Sequence, residues 1–193
     1  MKKPELLAPA GSMESLYAAV EAGCDAVYLS GYMFGARQFA TNFSEEEIKK
    51  AICFCHLYGV KVYVTVNTLI YEEEVQTFLD YIDFLHKNNV DAVLIQDIGM
   101  LDLIRQTYPN LEVHASTQMH IHNELGIKFC EKMGITRVVL ARETSIEMIQ
   151  KIRQKTNLEL EVFVHGALCI SYSGQCLMSS LIGGRSGNRG ACA

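Results

Sequence analysis

Seven short runs of aliphatic and β-branched residues, each followed by a longer stretch with helical periodicity, alternate along the whole chain. The runs are 6–9, 26–29, 62–66, 92–95, 111–114, 138–141 and 160–164, and amphipathic segments lie between them at 12–23, 45–58, 72–88, 98–107, 123–133 and 145–155. The punctuation agrees with this reading. Ser44 ahead of Glu45, Glu46 and Glu47 is a capping box with acids in the first turn, and Gly23, Gly59 and Gly134 stand where helices end. Strand, helix and next strand, repeated without hairpin signals, require parallel strands joined by right-handed crossovers. The fold class is α/β.

An open doubly wound sheet and a closed barrel both satisfy that pattern, so the strand ends decide. No Gly-x-Gly-x-x-Gly follows the first run. Polar groups close almost every strand instead: Ser12, Ser30, Asn67, Gln96 and Asp97, then Ser116, Thr117 and Gln118, then Arg142 and Glu143, and finally His165. Singly, each reads as a turn or cap residue. Recurrence at six or seven strand ends is the rim of a TIM-like (β/α) barrel. Such a barrel takes about 250 residues and eight strands, whereas 193 residues supply seven. The expectation is an incomplete barrel catalytic domain over 1–193, its eighth strand and remaining C-terminal part missing through truncation. Its first and last strands would be open edges that invite self-association.

Charge and composition narrow the partners. Seventeen basic against 22 acidic residues leave a net charge of −5, so no global field draws the chain onto nucleic acid or anionic lipid. No apolar run approaches the roughly 20 residues of a membrane span, and Met1-Lys2-Lys3-Pro4-Glu5 lacks a signal peptide's apolar stretch. A cytoplasmic protein is expected. Seven cysteines in such a chain form no disulfide framework. Cys24, Cys53, Cys55 and Cys130 fall in helical apolar patterns and read as core residues.

Cys169, Cys176 and Cys192 are different, for they cluster in a Gly/Cys-rich segment over 166–193. Two cysteines seven apart, separated by Ser and Gly, can converge because the backbone between them turns freely. Three thiolates favour a soft centre, zinc or iron–sulfur, over a hard cation. His114, His120 and His122 admit a metal reading as well, against a polar rim with one inward histidine.

The segment Glu161-x-Phe163-x-x-Gly166-Ala167-Leu168-Cys169, followed after four residues by Gly174-x-Cys176-x-Met178-Ser179, resembles the signature of the collagenase-like peptidase family U32. Further matches run from Glu5-Leu6-Leu7-Ala8-Pro9-Ala10-Gly11 through Phe34-Gly35-Ala36-Arg37, Val64-Thr65-Val66-Asn67, His114-Ala115-Ser116-Thr117-Gln118 and Val139-Leu140-Ala141-Arg142-Glu143 to Gly187-Asn188-Arg189-Gly190. The resemblance covers the front part of a family protein. It implies a barrel-like catalytic domain, a [4Fe–4S] cluster on four cysteines, and hydroxylation of RNA bases without O2, with prephenate as oxygen source.

Carried over, the resemblance makes Cys169, Cys176 and Cys192 cluster ligands, with a fourth cysteine beyond residue 193. The 193 residues alone would then bind a cluster weakly, or hold zinc or nothing. His165, Arg142 and Glu143 become candidate catalytic residues. Arg142 is either a bidentate carboxylate clamp or the partner of Glu143 in a salt bridge. Arg37, Asn67, Gln118, Arg185 and Arg189 are candidates for substrate binding, the last two as an anion nest among glycines or as part of a connecting loop. RNA, transfer or ribosomal, and a small carboxylate are the expected partners. Two rivals stay open: a collagenase-like protease using Cys169 with His165, and a non-catalytic barrel stapled by its metal.

Overall fold

The computed structural model describes residues 3–37, 41–167 and 169–192. Seven strands, β1 (Leu7–Pro9), β2 (Ala26–Ser30), β3 (Lys61–Val66), β4 (Ala92–Ile95), β5 (Glu112–Ala115), β6 (Arg137–Val139) and β7 (Glu159–Glu161), form one parallel sheet. Its order is the chain order, each strand pairing only with its sequence neighbours. Helices α1 (Met13–Glu21), α2 (Glu45–Leu57), α3 (Val75–Lys87), α4 (Ile98–Thr107), α5 (Glu124–Lys132) and α6 (Ile146–Arg153) supply the crossovers, and α7 (Met178–Gly183) lies in the cysteine segment. The sheet curls into an open, incomplete TIM-like barrel, with β1 and β7 as edges.

Local signals explain the element ends. Ser44 and Glu47 make the reciprocal capping box that starts α2, and Gly23, Gly59 and Gly134 take φ of 85°, 70° and 73° just past α1, α2 and α5. Ser12, Asp97, Asn123 and Ser145 cap α1, α4, α5 and α6 with side-chain acceptors. Ser12 and Asp97 are therefore helix caps rather than ligand groups.

Period-two alternation divides the sheet into two faces. Val27, Leu29, Val62, Val64, Val66, Val93, Ile95, Val113 and Val138 face the helices, where they pack with Leu16, Ile48, Phe78, Ile82, Leu101, Ile104 and Ile127. Burial of each such side chain is worth about 1.5–3 kcal/mol, so this layer is the main source of stability. The other face turns inward, placing Ala26, Tyr63, Ala92, Leu94 and Val139 in a smaller barrel core.

Two expectations are corrected. Cys53 is exposed, while Cys24, Cys55 and Cys130 are buried. Positions two apart on a helix lie about 200° apart by the geometry of 3.6 residues per turn, so Cys53 and Cys55 do not share a face. The run 160–164 is not a buried strand. Pairing stops at Val139 with Glu161, and Val162, Phe163 and Val164 are 44%, 51% and 87% exposed. β6 ends at Val139, and one further backbone bond, from the Leu140 N–H to Glu161 O at 3.0 Å, closes the contact between the two segments. No helix among the described residues is long and apolar enough to cross a membrane.

Candidate functional site

The polar strand ends gather on one rim, and Asn67 ties three of its loops together. Its side chain, buried just beyond β3, donates to Ser116 Oγ at 3.0 Å after β5 and accepts from the Ala36 N–H at 3.0 Å after β2. Ser116 also accepts from the Gln118 N–H at 3.2 Å and so starts a short 3-10 turn, Thr117–Met119. His120 follows in the left-handed region at φ 57°. A non-glycine residue in that region stores local strain that the packing must hold.

Against this rim lies the cysteine segment, strapped down by Arg142 and Glu143, three and four residues past β6. The Arg142 guanidinium donates to Cys169 O at 3.2 Å, Ser171 O at 2.8 Å and Ser173 Oγ at 3.2 Å. Glu143 accepts from the Ser173 N–H at 2.6 Å, and Ser173 is buried. Two of the three candidate catalytic residues thus hold the segment, and the hydrogen bonds of Arg142 run to the strap and not to Glu143. Gly174 completes the docking. Its φ is +71°, and a Cβ there would lie 2.2 Å from the Gln118 carbonyl oxygen, so only glycine allows the approach.

The strap brings two thiols under common influence. The Ser171 N–H, with Arg142 beside it, holds the Cys169 thiol below the usual range, and the Ser171 side chain with the Met178 N–H does the same for Cys176. Thiols poised toward thiolate are nucleophiles and soft-metal ligands. Burial has the opposite effect in the core, where Cys55 is pushed up to about 12 and Cys130 to about 11. Cys192 is exposed near the end of the segment. Among the described residues no three His, Cys, Asp or Glu side chains are gathered closely enough to hold a metal.

Beside Cys176 opens a cleft of about 400 Å3, lined also by His120, Tyr172, Gln175, Met178 and Leu181. His120 and Tyr172 stack at 5.8 Å between ring centroids, 23° from parallel. Neither this stack nor α7 was foreseen in the sequence; Tyr172, two residues before the Gly174-x-Cys176 pair, was the available signal.

The remaining candidates scatter. His165 is exposed, four residues past β7. Arg37 and Arg185 are exposed. Arg189 is engaged: it pairs with Glu74 at 2.5 Å, donates to Leu69 O and lies over the Tyr71 ring at 4.3 Å. That contact builds one wall of a second cleft of about 320 Å3, with Tyr32, Phe34, Gly35, Thr68 and Thr77. His114 is the inward histidine, 1% exposed, whereas the rings of His120 and His122 stand 5.0 Å apart at the rim.

Comparison with known proteins places this geometry. The tRNA hydroxylation protein P1 of Bacillus subtilis is 44% identical over 191 residues, 99% of this chain and 45% of that protein. The 23S rRNA 5-hydroxycytidine synthase of Escherichia coli is 43% identical over 189 residues, 98% of this chain and 28% of that one. The chain therefore spans less than half the length of these relatives. A solved U32 peptidase superposes with a TM-score of 0.70 at 15% identity, over 84% of this chain and 70% of that one, a likeness of fold. The family model for Peptidase family U32 matches residues 11–193, and the chain belongs to that family.

Proposed function

We propose that this chain is the barrel part of a cytoplasmic RNA-hydroxylating enzyme whose Cys169, Cys176 and Cys192 hold an iron–sulfur cluster, a fourth cysteine coming from further along a longer chain. The observation that carries the reading is the strap: Arg142 and Ser171 draw Cys169 and Cys176 toward thiolate on one loop. Soft thiolate donors suit iron–sulfur or zinc and not magnesium or calcium. The relatives that act on transfer and ribosomal RNA support the substrate class.

A bound cluster would supply one-electron redox chemistry at this rim. The chain's own residues do the rest. Arg142 and Glu143 fix the cysteine segment, Asn67 locks the loops beneath it, and His120 with Tyr172 offers an aromatic wall beside Cys176 against which an unstacked base can lie. The oxygen source in this reading is a small carboxylate such as prephenate, and the exposed guanidinium groups of Arg37 and Arg185 are its candidate contacts, because Arg142 and Arg189 are already engaged.

The test is genetic. Cells lacking the full-length protein are complemented with the wild type or with Cys169→Ser, and nucleosides from their transfer and ribosomal RNA are measured by mass spectrometry. The proposal expects a hydroxylated pyrimidine that returns with the wild type and stays absent with Cys169→Ser. RNA modification indifferent to Cys169 contradicts it, and peptide hydrolysis with no change in RNA contradicts it and favours the protease reading.

A further inference from the structure

Glu161 opens the signature that carries the cysteines, yet its side chain has no part in the site just described. It turns into the barrel, where Glu5, Tyr63, His114, Arg137 and Glu159 converge near the N-terminal ends of the strands. Arg137, the first residue of β6, is 7% exposed and is the guanidinium about which this group is built. Its Nη1 lies 2.6 Å from Glu5 Oε1, while Nε and Nη2 lie 2.8 Å and 2.5 Å from Glu159 Oε2. Tyr63 lies beneath the guanidinium at 5.0 Å and donates its hydroxyl to Glu5 at 3.0 Å.

Glu5 precedes β1 and Glu159 begins β7, so this one side chain joins the two edges that no strand pairing joins. Glu161 is the third carboxyl around it. Its Oε2 stands 3.6 Å from Nη1, within ion-pair range, and is buried with no hydrogen-bond partner. The His114 ring packs edge-on to Tyr63 at 4.8 Å with Nδ1 also buried and unpartnered, and its Nε2 faces Glu112 at 3.7 Å. One guanidinium already satisfied by two carboxylates leaves little attraction for a third negative charge, and burial of such a charge is costly.

We propose that Glu161 is a proton-binding site of the barrel, a neutral carboxylic acid in the fold whose ionisation competes with Glu5 for Arg137 and so weakens the link between the open edges. Burial pushes the Glu161 carboxyl up to about 7; Arg137 pulls it down, and Glu5 and Glu159 raise it again. For Glu5, burial is outweighed by Arg137 and Tyr63, which hold it below the usual range. The His114 imidazole beside Glu112 holds that carboxyl low, and burial holds His114 itself low.

The sign follows from linkage. The folded chain keeps a proton on Glu161 that the unfolded chain has lost above 4.5, so stability from this group is complete below 4.5 and is lost as pH rises to about 7. His114 runs the opposite way, its buried neutral form favouring the fold more as pH rises toward 6.5. Comparison with Glu161→Gln, which keeps shape and neutrality, cancels the His114 contribution.

The experiment is denaturant unfolding of the full chain, wild type and Glu161→Gln, across mildly acidic to mildly alkaline pH. The ratio of their folding constants, wild type over variant, is expected to fall on the order of 10- to 100-fold from pH ~5 to pH ~8. A ratio flat over that range overturns the proposal. Should the variant fail to fold, carbon-13 NMR of carboxyl-labelled glutamates in the unmutated chain decides. One carboxyl titrating near 7, absent from the unfolded chain, is expected; titration of every glutamate in the ordinary range refutes it.

Discussion

Arg142→Ala tests the strap at its fastening. The substitution removes three guanidinium hydrogen bonds, at 3.2, 2.8 and 3.2 Å, and leaves the backbone bond of residue 142 to Ser173 Oγ in place. A hydrogen bond from a charged donor contributes up to about 3 kcal/mol when buried, but at this half-exposed edge about 0.5–1 kcal/mol each is the fitting scale. The docked segment should lose about 1.5–3 kcal/mol, raising its undocked population roughly 10- to 150-fold. Two readouts follow. The Ser173 amide, bonded to Glu143, should exchange faster with solvent by that factor. The pH midpoint of Cys169 alkylation should move up, since the thiol loses the guanidinium that, beside the Ser171 N–H, lowers it. Arg142→Lys keeps the charge but not the fork and should fall between. Unchanged exchange at Ser173 together with an unchanged alkylation midpoint would refute the reasoning.

Gly174→Ala should undock the same segment from the rim, at a cost of about 1–3 kcal/mol for the left-handed backbone alone and more for the clash with Gln118; faster hydrogen exchange over 169–176 is the check. Asn67→Ala removes the bonds to Ala36 and Ser116, and chemical denaturation should show about 1–3 kcal/mol lost. Brief alkylation of the folded, cluster-free chain near neutral pH, read by peptide mass spectrometry, should label Cys53, Cys169 and Cys176 and spare Cys55 and Cys130, whose thiols burial pushes up to about 12 and about 11. Labelling of Cys55 as fast as Cys53 would show that α2 does not face the sheet as described.

The barrel was legible in the sequence because its signals are local and periodic. The runs at 62–66 and 92–95 lie within a residue of β3 and β4, and Ser44 with Gly59 brackets α2 within two. The edge strand was misread because apolar residues at 162–164 look the same whether a neighbouring strand continues beside them or stops at Val139. The cysteines were legible as a group through their spacing. The roles of Arg142 and Glu143 were not: a guanidinium holding the carbonyls of Cys169 and Ser171 depends on contacts 27 and 29 residues away. The Arg137 cluster was hidden for the same reason, since Glu5 lies 132 residues from its partner. Titratable residues at alternate positions of β5 and β7, Glu112 with His114 and Glu159 with Glu161, were the signs that an inner face of the barrel is ionic.

In the proposed function, thiols on the strapped segment hold an iron–sulfur cluster. The most direct test is anaerobic purification of the full-length protein, followed by absorption spectroscopy and iron and sulfide analysis, with Cys169→Ser and Cys176→Ser in parallel. The account predicts a brown protein with sulfur-to-iron charge-transfer absorption that either substitution diminishes or abolishes. A colourless protein without iron, or a chromophore untouched by both substitutions, would contradict it.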